Sequence, residues 1–226
     1  MFSPEQIDLL RLLAKEWDTA EGVIKRAEHL NGAVVIPSIN EMRYAGRRIV
    51  DAVNSLSGSH HDDGVDADTF LRDARLRCIC AQHDALDASI TFVHLHVRHL
   101  ESAVGVTKLH GAFPRIADLR AEIVEISDLV VQSRAFRNGR AEAYGRILNE
   151  AEVSAGLDEK ASHFDNLLRL YRNMIAVEPK LLAEVEQEKK SSRSNAQMAV
   201  IGLAVGVVGT LLGVFGAVLG VVGLYW

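Results

Sequence analysis

Apolar residues recur every three or four positions along most of the chain, which is the period of an amphipathic α-helix. The first such series is Ile7, Leu10, Leu13, Trp17, Ala20, Ile24 and Ala27. Ser3, Pro4 and Gln6 precede it as a capping box with proline at the first helical position. Asn31-Gly32 follows it as a stop signal. The pattern predicts a helix over residues 4–30 whose apolar stripe faces a core.

The same spacing predicts further helices downstream. Behind Pro37, the positions expected to face inward are Ile39, Met42, Ala45, Ile49, Val53 and Leu56. The other predicted helices cover residues 68–104, 116–136, 140–155 and 158–177. The stretch GVTKLHGAFPR, residues 105–115, is predicted to be a connection because it contains two glycines and a proline. Pro179 is predicted to kink or restart the last helix.

No segment alternates apolar and polar residues in the manner of a β-strand. The predicted fold class is therefore all-α: a helical bundle with long helices and one C-terminal transmembrane helix. Residues 1–177 would form the cytosolic bundle, 178–197 a helical juxtamembrane linker with a basic flank, and 198–226 the anchor.

The last 29 residues, 198–226, carry no charged side chain. Such a run exceeds the roughly 20 residues that cross a bilayer core. Lys189, Lys190 and Arg193 stand before it, and Tyr225 and Trp226 close its far end. Cations on one side and interfacial aromatics on the other are typical of a membrane span. They predict a single-pass membrane anchor, with lipid as a partner and the N-terminal domain in the cytoplasm.

Glycines recur through the apolar segment at alternating gaps of 4 and 3. They are Gly202, Gly206, Gly209, Gly213, Gly216, Gly220 and Gly223. Such spacing repeats every seven residues and keeps all of them on one stripe of a left-handed helix pair. Small residues let helix backbones approach closely in lipid. The stripe predicts self-association into a homo-oligomer; a dimer, a larger ring and packing on a different protein stay open.

The composition of residues 1–197 limits the classes of function expected for this part of the chain. The net charge of −5 belongs wholly to the part before residue 198, so a general nucleic-acid binder is disfavoured and no DNA partner is expected. Cys78 and Cys80 are the only two cysteines, and they lie on different faces of the predicted helix. A disulfide framework and a CxxC redox site are thereby excluded. No phosphate-binding glycine loop is present, and no cofactor is expected.

The stretch INEMRYAGRRIVDAV, residues 39–53, concentrates arginines on one predicted helix. Arg43, Arg47 and Arg48 are candidates for binding RNA or another phosphate-bearing ligand. The alternative is a solvated face on which these arginines pair with Glu41 and Asp51.

This stretch resembles the helix of HEPN-like proteins of bacterial defence and CRISPR-associated systems. In that family an arginine and a nearby histidine cut RNA without a metal ion, across a dimer interface. The resemblance places Arg43 at the arginine position, but residue 48 is Arg48 where a histidine is required. Arginine stays protonated and cannot act as a general base.

A second match to that motif is Arg77 with His83, and it makes these two residues the candidate catalytic pair of a metal-independent ribonuclease. On one straight helix they lie about 240° apart. A surface arginine and a histidine beside an aspartate therefore remain the alternative. The resemblance also implies a membrane effector of antiviral defence, located in a bacterial inner membrane, that responds to an RNA or protein trigger.

Other ligand-type side chains are weaker candidates. His96 and His99 are spaced for a shared metal ion, but no third ligand accompanies them and no metal site is predicted. The loop residues His60, His61, Asp62 and Asp63 are expected to be solvated. The leading hypothesis is a tail-anchored protein with a sensory or regulatory bundle; a membrane-tethered ribonuclease and a non-catalytic scaffold are the alternatives.

Overall fold

The computed structural model describes residues 2–57, 65–135, 140–148 and 162–223, with backbone only for 133–135, 140–141 and 199–223. These residues form an all-α fold, as the sequence predicts. Seven helices are present in the described ranges: α1 (Pro4–Asn31), α2 (Ile36–Leu56), α3 (Ala67–Val104), α4 (Val106–Ala112), α5 (Ile116–Ala135), α6 (Arg140–Leu148) and α7 (His163–Gly223).

The ends of α1 follow the local signals in the sequence. Ser3 Oγ accepts a hydrogen bond from the Gln6 backbone N–H at 3.3 Å, and Gln6 Oε1 accepts one from the Ser3 N–H at 2.9 Å. This capping box satisfies two backbone N–H donors at the start of the helix, those of Ser3 and Gln6. Gly32 ends the helix at φ 64°, a left-handed conformation that glycine adopts without strain. The predicted helix over residues 4–30 is confirmed.

The central element of the fold is α3, which has 38 residues. Both α1 and α2 pack along it, and α5 and α7 contact it as well. The Asp66 side chain caps its N-terminus by accepting from the Thr69 N–H at 2.8 Å, and hydrogen bonds from the Thr69 side chain and then its backbone lower the Asp66 pKa. The side chains that α3 buries most completely are Leu71, Ala74, Cys78, Ala81, Ala85, Leu86, Val93 and Leu100.

Three apolar positions predicted to face inward are exposed instead. Ile7 is 42% exposed, Ile39 37% and Val53 49%. The face that α2 presents to the core carries Ala45 and Ala52, both fully buried. Small side chains allow close helix approach, so the larger β-branched residues are left on the flanks of the contact.

The segment predicted to be a connection contains the helix α4, which is a correction to the sequence interpretation. Gly105 adopts φ 87°, which lets the chain change direction between α3 and α4 without steric strain. Leu109 is fully buried and holds α4 on the core. The helix forms although Gly111 lies within it.

The last described helix, α7, runs without a break through Pro179, so the predicted restart there is wrong. Met174 and Leu181, on either side of the proline, are both buried and keep the two halves of the helix on the same surface. Part of the predicted 140–155 helix is present as α6. Residues 58–64, which include His60, His61, Asp62 and Asp63, lie outside the described residues, as do residues 149–161.

Leu71 and Leu76 offer a matched test of the core, because both lie on α3. Leu71 is 1% exposed and Leu76 is 47% exposed. We expect Leu71→Ala to lower the free energy of unfolding by about 2–5 kcal/mol, because it leaves a cavity. Leu76→Ala should change it by less than about 0.5 kcal/mol. Chemical denaturation of the full chain, followed by circular dichroism, measures both; equal effects would contradict this core.

Candidate functional site

The predicted arginine cluster lies on α2, and Arg48 is its member that contacts α3. Arg48 Nε donates to Asp73 Oδ2 at 2.6 Å, and Arg48 Nη1 donates to Asp51 Oδ2 at 3.2 Å. Arg47 Nε lies 3.1 Å from Asp51 Oδ1. The Asp51 side chain is only 6% exposed, so its charge needs these cations. The expectation that Arg47 and Arg48 pair with Asp51 is confirmed.

Glu41 pairs with the candidate catalytic arginine on α3 instead of with the arginines of its own helix. Arg77 Nη1 donates to Glu41 Oε2 at 3.2 Å, and Asp73 lies 3.6 Å from Arg77 Nε. The hydrogen bond to Glu41 raises the Arg77 pKa, with further help from the Asp73 charge. The Arg77 guanidinium also lies 5.8 Å from the centre of the Tyr44 ring. Arg77 is therefore held between α2 and α3 by neighbours of the same protein.

The remaining arginine of the predicted phosphate-binding set is Arg43, which is exposed. Among the described residues, no carboxylate lies within ion-pair distance of it. Arg47, Arg48 and Arg77 are each matched by an acidic neighbour, so the cluster as a whole presents little unbalanced positive charge. A phosphate ligand would have to compete with those internal partners.

His83 occupies a different part of the fold from Arg77. Its ring is buried and stacks on Tyr144 of α6, with ring centres 3.3 Å apart and planes 12° apart. Arg77 instead contacts α2. Arg77 thus contacts α2 and His83 contacts α6, in line with their angular separation along a straight helix.

The histidines considered as metal ligands have separate environments. His99 is exposed, whereas His96 is partly buried against α7. His96 Nδ1 lies 2.6 Å from Tyr171 Oη, and His96 Nε2 lies 3.2 Å from Glu178 Oε1. In the ranges that the structure describes, no group of three His, Cys, Asp or Glu residues is arranged to hold a metal ion.

The Tyr171–His96–Glu178 contact joins α3 to α7 and was missed by the sequence interpretation. Burial raises the Tyr171 pKa to about 12, and the Glu178 charge adds to the shift. The phenol thus keeps its proton, and the two ring nitrogens of His96 bridge Tyr171 and Glu178. Tyr171 and Glu178 are seven residues apart, two turns of one helix face. That spacing is the sequence signal for the contact, but it does not identify His96 as the partner.

The start of α7 is fixed by a second set of polar contacts. His163 Nδ1 lies 2.6 Å from Glu122 Oε1 of α5. Burial raises the Glu122 pKa, while the hydrogen bond from His163 opposes the shift. Arg26 of α1 donates to Asp165 at 2.8 Å and lies 5.1 Å from the centre of the Phe164 ring. Together with the contact from His96 of α3, these contacts tie α7 to three helices of the bundle.

The predicted membrane-interface cations lie on the exposed part of α7. Lys190 pairs with Glu186 at 2.8 Å, and Lys189 and Arg193 are exposed. The predicted glycine stripe begins beyond Met198, where α7 is described as backbone only; Tyr225 and Trp226 lie outside the described residues. Within the residues whose side chains the structure describes, no helix is long and apolar enough to cross a membrane.

No protein-family model, curated protein or solved structure matches this chain. Function is therefore inferred from the residues and contacts of the chain itself.

Arg77 and His83 contact different helices, so we expect both to act through packing. Arg77→Ala should lower the free energy of unfolding by about 1 kcal/mol, since its ion pairs are partly exposed. His83→Ala should lower it by about 1–3 kcal/mol, because a buried aromatic contact is lost. Arg43→Ala, which removes an exposed arginine, is the control and should have almost no effect.

The same variants test the ribonuclease hypothesis. Any RNA cleavage by the purified full chain should have the same rate in Arg77→Ala and His83→Ala as in the parent protein. A large loss of cleavage in either variant, with circular dichroism unchanged, would show that these residues are catalytic.

Proposed function

We propose that this protein is a tail-anchored membrane protein whose helical bundle binds a partner and whose glycine-rich end self-associates in the bilayer. The uncharged run over residues 198–226 supports the anchor. The cations at Lys189, Lys190 and Arg193 favour an N-terminal domain on the cytoplasmic side. The expected location is a bacterial inner membrane.

The observation that carries the proposal is the continuity of α7. This helix begins at His163, buries Phe164, Leu167 and Met174 in the bundle, and extends to Gly223. The last helix of the bundle therefore continues into the proposed span. A helix transmits rotation and tilt along its axis, so rearranging the bundle reorients the span, and association of spans brings bundles together.

The glycine stripe gives the span a surface for another helix. Close backbone approach at its glycines allows dispersion contacts that lipid tails do not replace. Glycine also costs a helix about 1 kcal/mol relative to alanine, so repeated glycines need a compensating interaction. Self-association supplies that compensation.

The partner of the bundle is proposed to be an RNA or a protein, as the HEPN-like resemblance implies, and binding would alter packing of the spans in a defence response. Most arginines that could bind RNA are already engaged by Glu41, Asp51 and Asp73. This internal pairing favours a protein partner over RNA. It also favours a regulatory module over a ribonuclease. The scaffold alternative predicts that substitution of a glycine in the stripe has no effect on association.

Anchoring is tested by extracting membranes of expressing bacteria with alkaline carbonate. The full chain should stay in the membrane pellet, because its span is buried in hydrocarbon. A variant that ends at Gln197 is the control and should be recovered in the supernatant. Release of the full chain together with this control would refute the anchor.

Self-association is tested by energy transfer between donor- and acceptor-labelled full chains in phospholipid vesicles. Gly209→Leu should weaken association about tenfold, because a large side chain holds the helices apart. Ala204→Leu makes a similar increase in size on the opposite side of the heptad pattern and should leave association nearly unchanged. Equal energy transfer in Gly209→Leu and the parent would exclude the stripe as an interface and favour a simple scaffold.

A further inference from the structure

A cleft of about 570 Å³ lies between α7 and the junction of α3 with α4. Ala103, Val104 and Val185 line it with apolar atoms, and Val104 and Val185 are buried. The polar part of its lining is formed by Lys108, Glu188, Lys189, Ser192 and Arg193. The cleft thus combines an apolar floor with a rim of cations.

The charges around this cleft are unequally matched. Lys108 pairs with Glu188, which places one acidic group in the lining. Within the described residues, Lys189 and Arg193 have no carboxylate at ion-pair distance. Three cations and one carboxylate leave an excess of two positive charges, and the Ser192 hydroxyl adds a neutral donor. An anion with several acceptor oxygens matches this lining.

The position of the cleft limits the source of that anion. Arg193 precedes the first residue of the uncharged segment, Met198, by five positions, or about 7.5 Å along a helix. The headgroup layer of a bilayer is about 5–8 Å thick on each side of the hydrocarbon core. In a membrane-anchored chain, Arg193 therefore lies at headgroup level, and Lys189 lies about 6 Å further from the uncharged segment along the helix.

We propose that this cleft binds the headgroup of an anionic phospholipid, with the phosphate near Lys189 and Arg193 and the acyl chains directed toward the uncharged segment that begins at Met198. This inference rests on the proposed membrane anchoring. It adds Lys108, which is remote in sequence from the basic flank, to the lipid-binding residues. Zwitterionic lipid fits less well, because its own ammonium group offsets the phosphate charge.

Lys190 provides a matched control within the same helix. It neighbours Lys189 and is equally close to the uncharged segment, but it pairs with Glu186 and does not line the cleft. A diffuse basic flank would use Lys189 and Lys190 alike. A preformed cleft would bind the lipid through Lys108 and Arg193, and Lys190 would not contribute to that binding.

The test titrates the full chain in detergent with dioctanoyl phosphatidylglycerol and counts bound lipid by native mass spectrometry. Dioctanoyl phosphatidylcholine is the zwitterionic comparison, and glycerol 3-phosphate is the free-phosphate comparison. We expect phosphatidylglycerol to bind most tightly. Lys108→Gln and Arg193→Gln should each weaken its binding about fivefold, while Lys190→Gln should leave it almost unchanged.

Three results would overturn the lipid cleft. The first is equal binding of the two lipids, and the second is an equal loss in Lys190→Gln and Lys108→Gln. The third is glycerol 3-phosphate binding as tight as that of phosphatidylglycerol, which would assign the cleft to a free phosphate. Carbonate extraction separates this failure from failure of the anchor: a chain that stays in the membrane without headgroup preference refutes only the cleft.

Discussion

The docking of the first part of α7 onto the bundle is the interaction on which the rest of the molecule depends. Leu167, Met174 and Leu181 bury the apolar side of this helix, and the His96–Glu178 and His163–Glu122 contacts fix its position along α3 and α5. Apolar burial supplies most of the stabilisation but has little directional preference. The histidine contacts supply direction, since each requires a particular rotation and register of the helix.

Polar contacts across α3 have a comparable role in the N-terminal part of the bundle. Arg48 reaches from α2 to Asp73, and Arg77 reaches back from α3 to Glu41. These groups are half-buried, and removing one partner would leave the other with an unbalanced charge in a less polar environment. Arg48 and Arg77, two of the residues that resemble a catalytic motif in sequence, thus hold α2 and α3 in register.

Features coded by neighbouring residues were predictable, and features that depend on distant partners were not. The limits of α1 follow from Ser3 and Gly32, whose effects extend only a few residues. The exposure of Ile39 depends on how closely Ala45 and Ala52 let α2 approach α3, which periodicity alone does not encode. Glu41 has several arginines nearby in sequence, and only the packing of α2 on α3 selects Arg77. The charged lining of the α4–α7 cleft was missed for the same reason.

The order of charges along α7 connects the fold to the proposed membrane setting. Glu184, Glu186 and Glu188 come before Lys189, Lys190 and Arg193, which stand nearest the uncharged segment. An anionic surface repels the acidic bundle and attracts the cations, over a range of about 8–10 Å. In the proposed orientation, the cations next to the uncharged segment are attracted to the membrane surface, and the acidic residues further from it are repelled. Both forces favour a bundle that stands away from the lipid, and because α7 is continuous they act on the bundle and the span together.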